Sequence, residues 1–295
     1  MKSAALGVLL LAHGGDPSWN ADVERLRARV DATIPAETAL GMADPKSLQA
    51  AVDRLEARGV TRIAAVPLFV QSRSEVLDQT RYALRLADEP SAALKAGYER
   101  MQAAHAAMPA GDATPGAEHH HHAMSFSTER VDAKVPVAMT PALDDDAFVA
   151  AILLERAKAL SKAPARETVV LVAHGPADDA AVPAWEQALR RLGSAVAAKG
   201  KFRASASALL RDDSPPEVRA AAVEALRAAV SRAAADGGAI VVPVLIARGG
   251  IEKKIEKDLA GLSYAWDGET LMPHAGFEKW VLRRAAEAKF DTPAR

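Results

Sequence analysis

Two histidines stand at the same place in two copies of one pattern. The run Gly7-Val8-Leu9-Leu10-Leu11-Ala12 leads into His13-Gly14-Gly15, and Thr168-Val169-Val170-Leu171-Val172-Ala173 leads into His174-Gly175-Pro176. An imidazole titrates near neutral pH and ligates divalent metal ions, so a histidine closing an apolar strand is a candidate base or ligand. The alternative is structural, with each imidazole bonding the turn that follows it. His274, in Met272-Pro273-His274, reads alone as an ordinary hydrogen-bonded residue and together with His174 as a second candidate imidazole. His119, His120, His121 and His122 are consecutive. Such a tract collects divalent ions readily and unselectively, or else forms a solvated low-complexity segment. A strand followed by His-Gly also suits a histidine phosphatase. That chemistry clamps phosphate with an arginine before the histidine, and Ala12 and Ala173 stand there instead.

Short Val, Leu and Ile runs without polar alternation suit strands buried on both faces, as in parallel sheets covered by helices. A second pair of runs, Ile63 to Val70 and Ile240 to Ile246, completes the repeat, and the chain reads as two copies of one α/β unit. The expected strands of the first half are residues 7–12, 38–42, 62–70 and 135–139. Its helices are 20–34, 47–58 with Ser47 as cap, 75–87 and 145–160. Those of the second half are strands 168–173, 202–210, 239–246 and 270–272, with helices 183–199, 215–235, 251–259 and 277–288. Between about 88 and 134 the alternation breaks into an Ala-, Gly-, Pro- and Met-rich insertion that holds His105 and the four-histidine tract. Residues 161–166 form the linker. The expected domains are therefore 1–162 and 166–295, each a doubly wound parallel sheet, facing a central cleft. In such sheets ligands bind beyond the carboxyl ends of the strands, where His13 and His174 would sit.

The chain of 295 residues is 49% hydrophobic, enough for two full cores. A net charge of -1 provides no global field for nucleic acid or an anionic membrane. With no cysteine, disulfides, iron–sulfur ligation and thiolate nucleophiles are excluded, and a metal site must use histidine and carboxylate. Met1-Lys2-Ser3 before an apolar stretch superficially resembles a leader, but the stretch continues into the repeated motif and is read as the first strand. No run approaches the ~20 apolar residues that span a bilayer. The expected location is the cytoplasm, or the periplasm if a leader has been removed.

These residues resemble the class II chelatases of the CbiX/SirB type, which insert cobalt, iron or nickel into sirohydrochlorin. The matching text is Leu9-Leu10-Leu11-Ala12-His13-Gly14 with Trp19-Asn20, then Gly59-Val60-Thr61-Arg62-Ile63 leading to Val66-Pro67-Leu68-Phe69. The second half adds Val242-Pro243-Val244-Leu245, Gly249-Gly250 and Met272-Pro273-His274. The resemblance implies two facing α/β domains and a catalytic pair of histidines, one after the first strand and one in the loop after the Val-Pro-Leu-Phe strand. The first maps to His13, and by repeat to His174. At the second, this chain has Arg73 in one half and Ile251 in the other. An arginine cannot accept a proton or hold a cation at neutral pH. Glu75 or Glu252 would then replace the missing histidine.

The implied site has His13 as metal ligand and base and Glu75 as its partner. Arg73, Arg81 and Arg248 hold the substrate's carboxylates. His174, His274 and His119 to His122 are further metal ligands, the last four delivering the ion. The implied partners are a tetrapyrrole and a divalent metal, Co²⁺, Fe²⁺ or Ni²⁺, with no organic cofactor, nucleic acid or membrane, in a monomer or homodimer. The alternative is a non-catalytic metal- or tetrapyrrole-binding protein on the same fold.

Overall fold

The computed structural model describes residues 5–92, 95, 96, 99 and 129–290. Two parallel sheets form its frame. The first contains β1 (Leu6–Ala12), β2 (Ala36–Leu40), β3 (Arg62–Pro67) and β4 (Val137–Met139) in the order β2-β1-β3-β4. The second contains β5 (Thr168–Ala173), β6 (Ala204–Leu209) and β7 (Ala239–Val244) in the order β6-β5-β7. All pairings are parallel, with Leu10 opposite Thr38 and Val66 in the first sheet and Leu171 opposite Ser207 and Val242 in the second. The two parallel-sheet α/β units expected from the repeat are present.

Eight helices with complete bounds connect the strands: α1 (Pro17–Asp31), α2 (Pro45–Ala57), α3 (Glu75–Ala83), α4 (Ala147–Leu160), α5 (Val182–Gly200), α6 (Pro216–Ala235), α7 (Ile251–Asp258) and α8 (Phe277–Glu287). Asp16 caps α1 by accepting from Trp19 N, with Pro17 at the first turn, where its missing N–H is harmless. For α2 the cap is Asp44, not the expected Ser47: its carboxylate accepts from Lys46 N and Ser47 N, and Pro45 follows. The expected strand 270–272 does not form. Leu271 N and Met272 N bond Leu245 O and Ile246 O beyond the end of β7, whereas Ala265 bridges to Ile240 along the strand itself. Helix α3 stops at Ala83, before Arg85 turns into a positive φ of 58°. No described helix is long and apolar enough to cross a membrane.

Alternation along each strand divides the core into three layers. Leu9, Leu11, Ile63 and Ala65 face outward under α2. Val170, Val172, Ala239 and Val241 face the opposite side under α6. The remaining residues, Val8, Leu10, Val66, Val169, Leu171 and Val242 among them, join one continuous cluster between the sheets. Four helices fill that middle layer, and two of them have changed sides. Helix α4, from the first half of the sequence, packs on β7 and α5, while α8, from the second half, packs on β3 and α1.

The two exchanged helices meet at Asp146. Its carboxylate caps α4 through Phe148 N at 2.8 Å and accepts from Arg283 at 2.7 Å and the Trp280 indole at 3.3 Å on α8. Arg284 lies at 3.0 Å from the same oxygen. Phe148 stacks edge-on against Phe277 with ring centres 5.0 Å apart. Burial opposes ionisation of Asp146, but the Arg283 and Phe148 hydrogen bonds and the two guanidinium charges outweigh it and hold its carboxyl below the usual range. Closing the linker, Glu167 accepts from Lys162 N at 3.0 Å and from the Ser161 hydroxyl.

Asp146→Ala is expected to lower unfolding free energy by about 2–4 kcal/mol, since it removes a helix cap and the carboxylate shared by Arg283 and Arg284. Because folding depresses the Asp146 pKa, its contribution is present above the ordinary unfolded value of about 4 and is lost as pH falls through the folded one. Urea titrations from pH 6 to 3 check both points: the stability of the wild type falls toward that of Asp146→Asn as the pH drops.

Candidate functional site

The first strand ends where two neighbouring loops converge on it. Gly41 N, beyond β2, bonds Ala12 O at 3.0 Å, and Leu68 N, beyond β3, bonds Leu11 O at 2.8 Å. His13 emerges between them. Its Nδ1 lies 3.2 Å from Gly14 O, a partner that can only accept, so in the neutral ring Nδ1 carries the proton and Nε2 the lone pair. The hydrogen bond to the following turn, the structural alternative for this histidine, uses Nδ1 and orients the ring.

The turn is built to hold that ring. Trp19, almost fully buried, stacks on the imidazole at 5.1 Å with planes 21° apart and donates its indole N–H to His13 O at 2.7 Å. Phe69 meets the imidazole edge-on at 6.2 Å from the loop after β3. Asn20 pins the turn with both ends of its amide, accepting from Gly15 N at 3.2 Å and donating to Gly15 O at 3.1 Å. Trp19 and Asn20 were legible as part of the resemblance, but the motif alone does not reveal their role around His13. Beside this turn a small pocket is lined by Leu11, Gly41, Asp44, Ser47, Phe69 and Thr80.

The neighbouring loop carries Arg73 and Glu75. Gln71 Oε1 accepts from Ser72 N at 2.9 Å, and Asp144 accepts from Ser72 N at 2.7 Å and from its hydroxyl at 2.6 Å. Ser74 caps α3, with Glu75 its first residue, half-buried. Arg73 is exposed at the surface of this loop. Arg81 lies further along α3 and pairs with Asp78 at 3.1 Å. His13 and the loop that carries Arg73 and Glu75 thus lie at the carboxyl ends of the adjacent strands β1 and β3.

The second half has the same histidine in a different setting. His174 Nδ1 also bonds the next carbonyl, Gly175 O, at 2.9 Å, but Gly175 has a φ of 80° and Nε2 lies 3.5 Å from Asp213. Arg211, only 11% exposed, lies over this turn with its guanidinium on Ser214 Oγ, Ala177 O and Asp179. Asp212, also buried, is paired to Arg219 and to Lys254. Glu252 accepts from Gly249 N and Gly250 N, and Arg248 pairs with Glu269. Paired charges surround this second strand end.

His274 is not gathered with His174. It begins the turn into α8, where Nδ1 accepts from Gly276 N at 3.0 Å and Nε2 faces Glu155 on α4 at 3.2 Å. The exchange of helices explains this, because Met272-Pro273-His274 leads a helix toward the other half. His105 and His119 to His122 lie outside the described residues. Among the described residues no three His, Asp or Glu side chains stand close enough to hold a metal ion by themselves.

The CbiX family model matches residues 7–87. No curated protein matches the sequence. Among solved structures, SirB from Bacillus subtilis with Fe³⁺ superposes with a TM-score of 0.58 at 14% identity, over 96% of this chain and 95% of that one. The sirohydrochlorin chelatase SirB from Bacillus subtilis subspecies spizizenii in complex with cobalt gives 0.58 at 14%, over 96% and 94%. CbiX, the terminal enzyme for biosynthesis of siroheme in denitrifying bacteria, gives 0.53 at 17%, over 95% and 98%. The likeness to CbiX/SirB-type chelatases is one of sequence pattern over residues 7–87, and of fold over nearly the whole chain.

The packing of the His13 turn sets a local test. A Cβ on Gly15 would lie 2.7 Å from Trp19 Cδ1, whereas one on Gly14 would meet only Gly41 N at 3.9 Å. Gly15→Ala is expected to cost about 1–3 kcal/mol by displacing the tryptophan, and Gly14→Ala under about 1 kcal/mol, in denaturant titrations at neutral pH.

Proposed function

We propose that this protein inserts a divalent metal ion, Co²⁺, Fe²⁺ or Ni²⁺, into sirohydrochlorin or a related tetrapyrrole, at the strand ends of its first half. The observation that supports this reading above the others is the setting of His13: an imidazole with Nδ1 turned to a carbonyl, clasped between Trp19 and Phe69. It lies in the segment that matches the CbiX family, on the fold shared with SirB.

Metal insertion removes two pyrrole N–H protons as the ion enters the ring. His13 Nε2 ligates the arriving ion or accepts one proton. Glu75, a carboxylate at the start of α3, takes the second proton or serves as a hard ligand. Arg73, exposed beside it, suits the bidentate recognition of the substrate's carboxylates. Both ion and tetrapyrrole are substrates that must leave as product. Water and pyrrole nitrogens complete the ion's coordination.

The second half contributes differently. Its paired charges around Arg211 and Asp212 leave His174 beside Asp213, and that end is read as supporting the fold.

One feature favours the alternative of a binding protein without turnover: Arg73 stands where the family has its second histidine, and Ile251 stands there in the other half.

Anaerobic absorbance of the protein with sirohydrochlorin and Co²⁺ or Fe²⁺ separates the two. The proposal expects insertion above the uncatalysed rate, a fall of about 100-fold or more in His13→Ala, and near-normal rates in His174→Ala. A shifted pigment spectrum with no acceleration by the wild type would establish the binding protein instead.

A further inference from the structure

The tryptophan that clasps His13 has a counterpart in the other half. Trp19 follows Pro17 at the start of α1, and Trp185 follows Pro183 at the start of α5. Both side chains are buried, at 2% and 8% exposure, and a buried indole N–H needs an acceptor. Trp19 finds it in its own turn, at His13 O. The equivalent acceptor in the second half, His174 O, already accepts from Arg211 N at 2.8 Å, and the short turn Asp179–Ala181 lengthens the path to α5. Trp185 crosses instead to the first half, where its Nε1 donates to Arg73 O at 3.1 Å.

The place of that bond gives it consequence. Asp144 holds the loop after β3 at Ser72, and Ser74 holds it where its hydroxyl caps α3 through Leu77 N. Arg73 lies between these anchors, and its carbonyl is the group that Trp185 fixes. We infer that Trp185 is a positioning residue for the first half's site: the second half, through one indole N–H, sets the conformation of the loop that presents Arg73 and leads into Glu75. This inference rests on the reading of Arg73 and Glu75 as groups that meet the tetrapyrrole.

Two substitutions separate the N–H from the bulk of the ring. Trp185→Phe keeps a buried aromatic ring and loses the donor. Trp185→His keeps a donor at a similar reach and loses much of the apolar surface. Each full-length variant is titrated with sirohydrochlorin without metal, followed by absorbance, and its thermal unfolding is measured in parallel. Stability is expected to follow bulk, in the order wild type, Phe, His. Pigment affinity is expected to follow the donor, with the Phe variant about 3- to 10-fold weaker than wild type and the His variant between them. In an Arg73→Ala background, Trp185→Phe should add no further loss. Affinities that rank in the same order as the stabilities overturn the inference, as does an unchanged affinity in Trp185→Phe. If the wild type itself does not bind the pigment, the chelatase reading fails at its own step and the inference falls with it.

Discussion

The exchange of two helices across the middle of the molecule is the constraint on which the rest depends. Each sheet has two apolar faces, and α2 covers the outer face of the first and α6 that of the second. The inner faces are covered jointly, with α4 from the first half on β7 and α8 from the second on β3. Neither sheet is complete without a helix from the opposite half of the sequence. The crossing is held by Asp146, a buried carboxylate that caps one exchanged helix and pairs with two arginines of the other. Removing the partners of a charge so placed leaves it uncompensated, which ties the two helices to one another. The burial of Val8, Leu10, Val169 and Leu171 in one cluster follows from that arrangement.

On this frame the two repeats have diverged in their polar groups while keeping their strands. Both place a histidine after the first strand with Nδ1 on the next carbonyl. In the first half the ring is bounded by aromatic surface and the neighbouring space is a pocket of mostly apolar groups and a few polar ones. In the second, Arg211 pairs with Asp179 over the turn, and Asp212 pairs with Arg219 and Lys254. Such groups satisfy one another. The second half's indole at Trp185 reaches across the interface to the loop of the first.

The strands and the histidines at their ends were legible in the sequence because continuous apolar runs suit parallel strands buried on both faces. The bounds of β5 agree with expectation residue for residue, and β1 differs by one. Strand 270–272 misled because its apolar content reflects burial of Leu271 and Met272 beyond the end of β7, not a place in the sheet. The cap of α2 was misassigned to Ser47 because Asp44-Pro45, a stronger signal of the same kind, lies one turn earlier.

By itself the sequence determined the repeat, the parallel strands, the position of His13 and His174, and the turn residues Gly14, Gly15, Trp19 and Asn20, since all of these follow from local pattern and short-range contacts. The tertiary structure alone decided which half each long helix would cover, that His274 would face Glu155, that Arg211 would fill the second strand end, and that Trp185 would bond Arg73. The physical reason is range. A strand or a turn is specified by neighbours a few residues away, whereas a buried carboxylate, guanidinium or indole takes whichever partner the folded chain brings within about 3 Å, and that partner's place in the sequence carries no trace of the pairing.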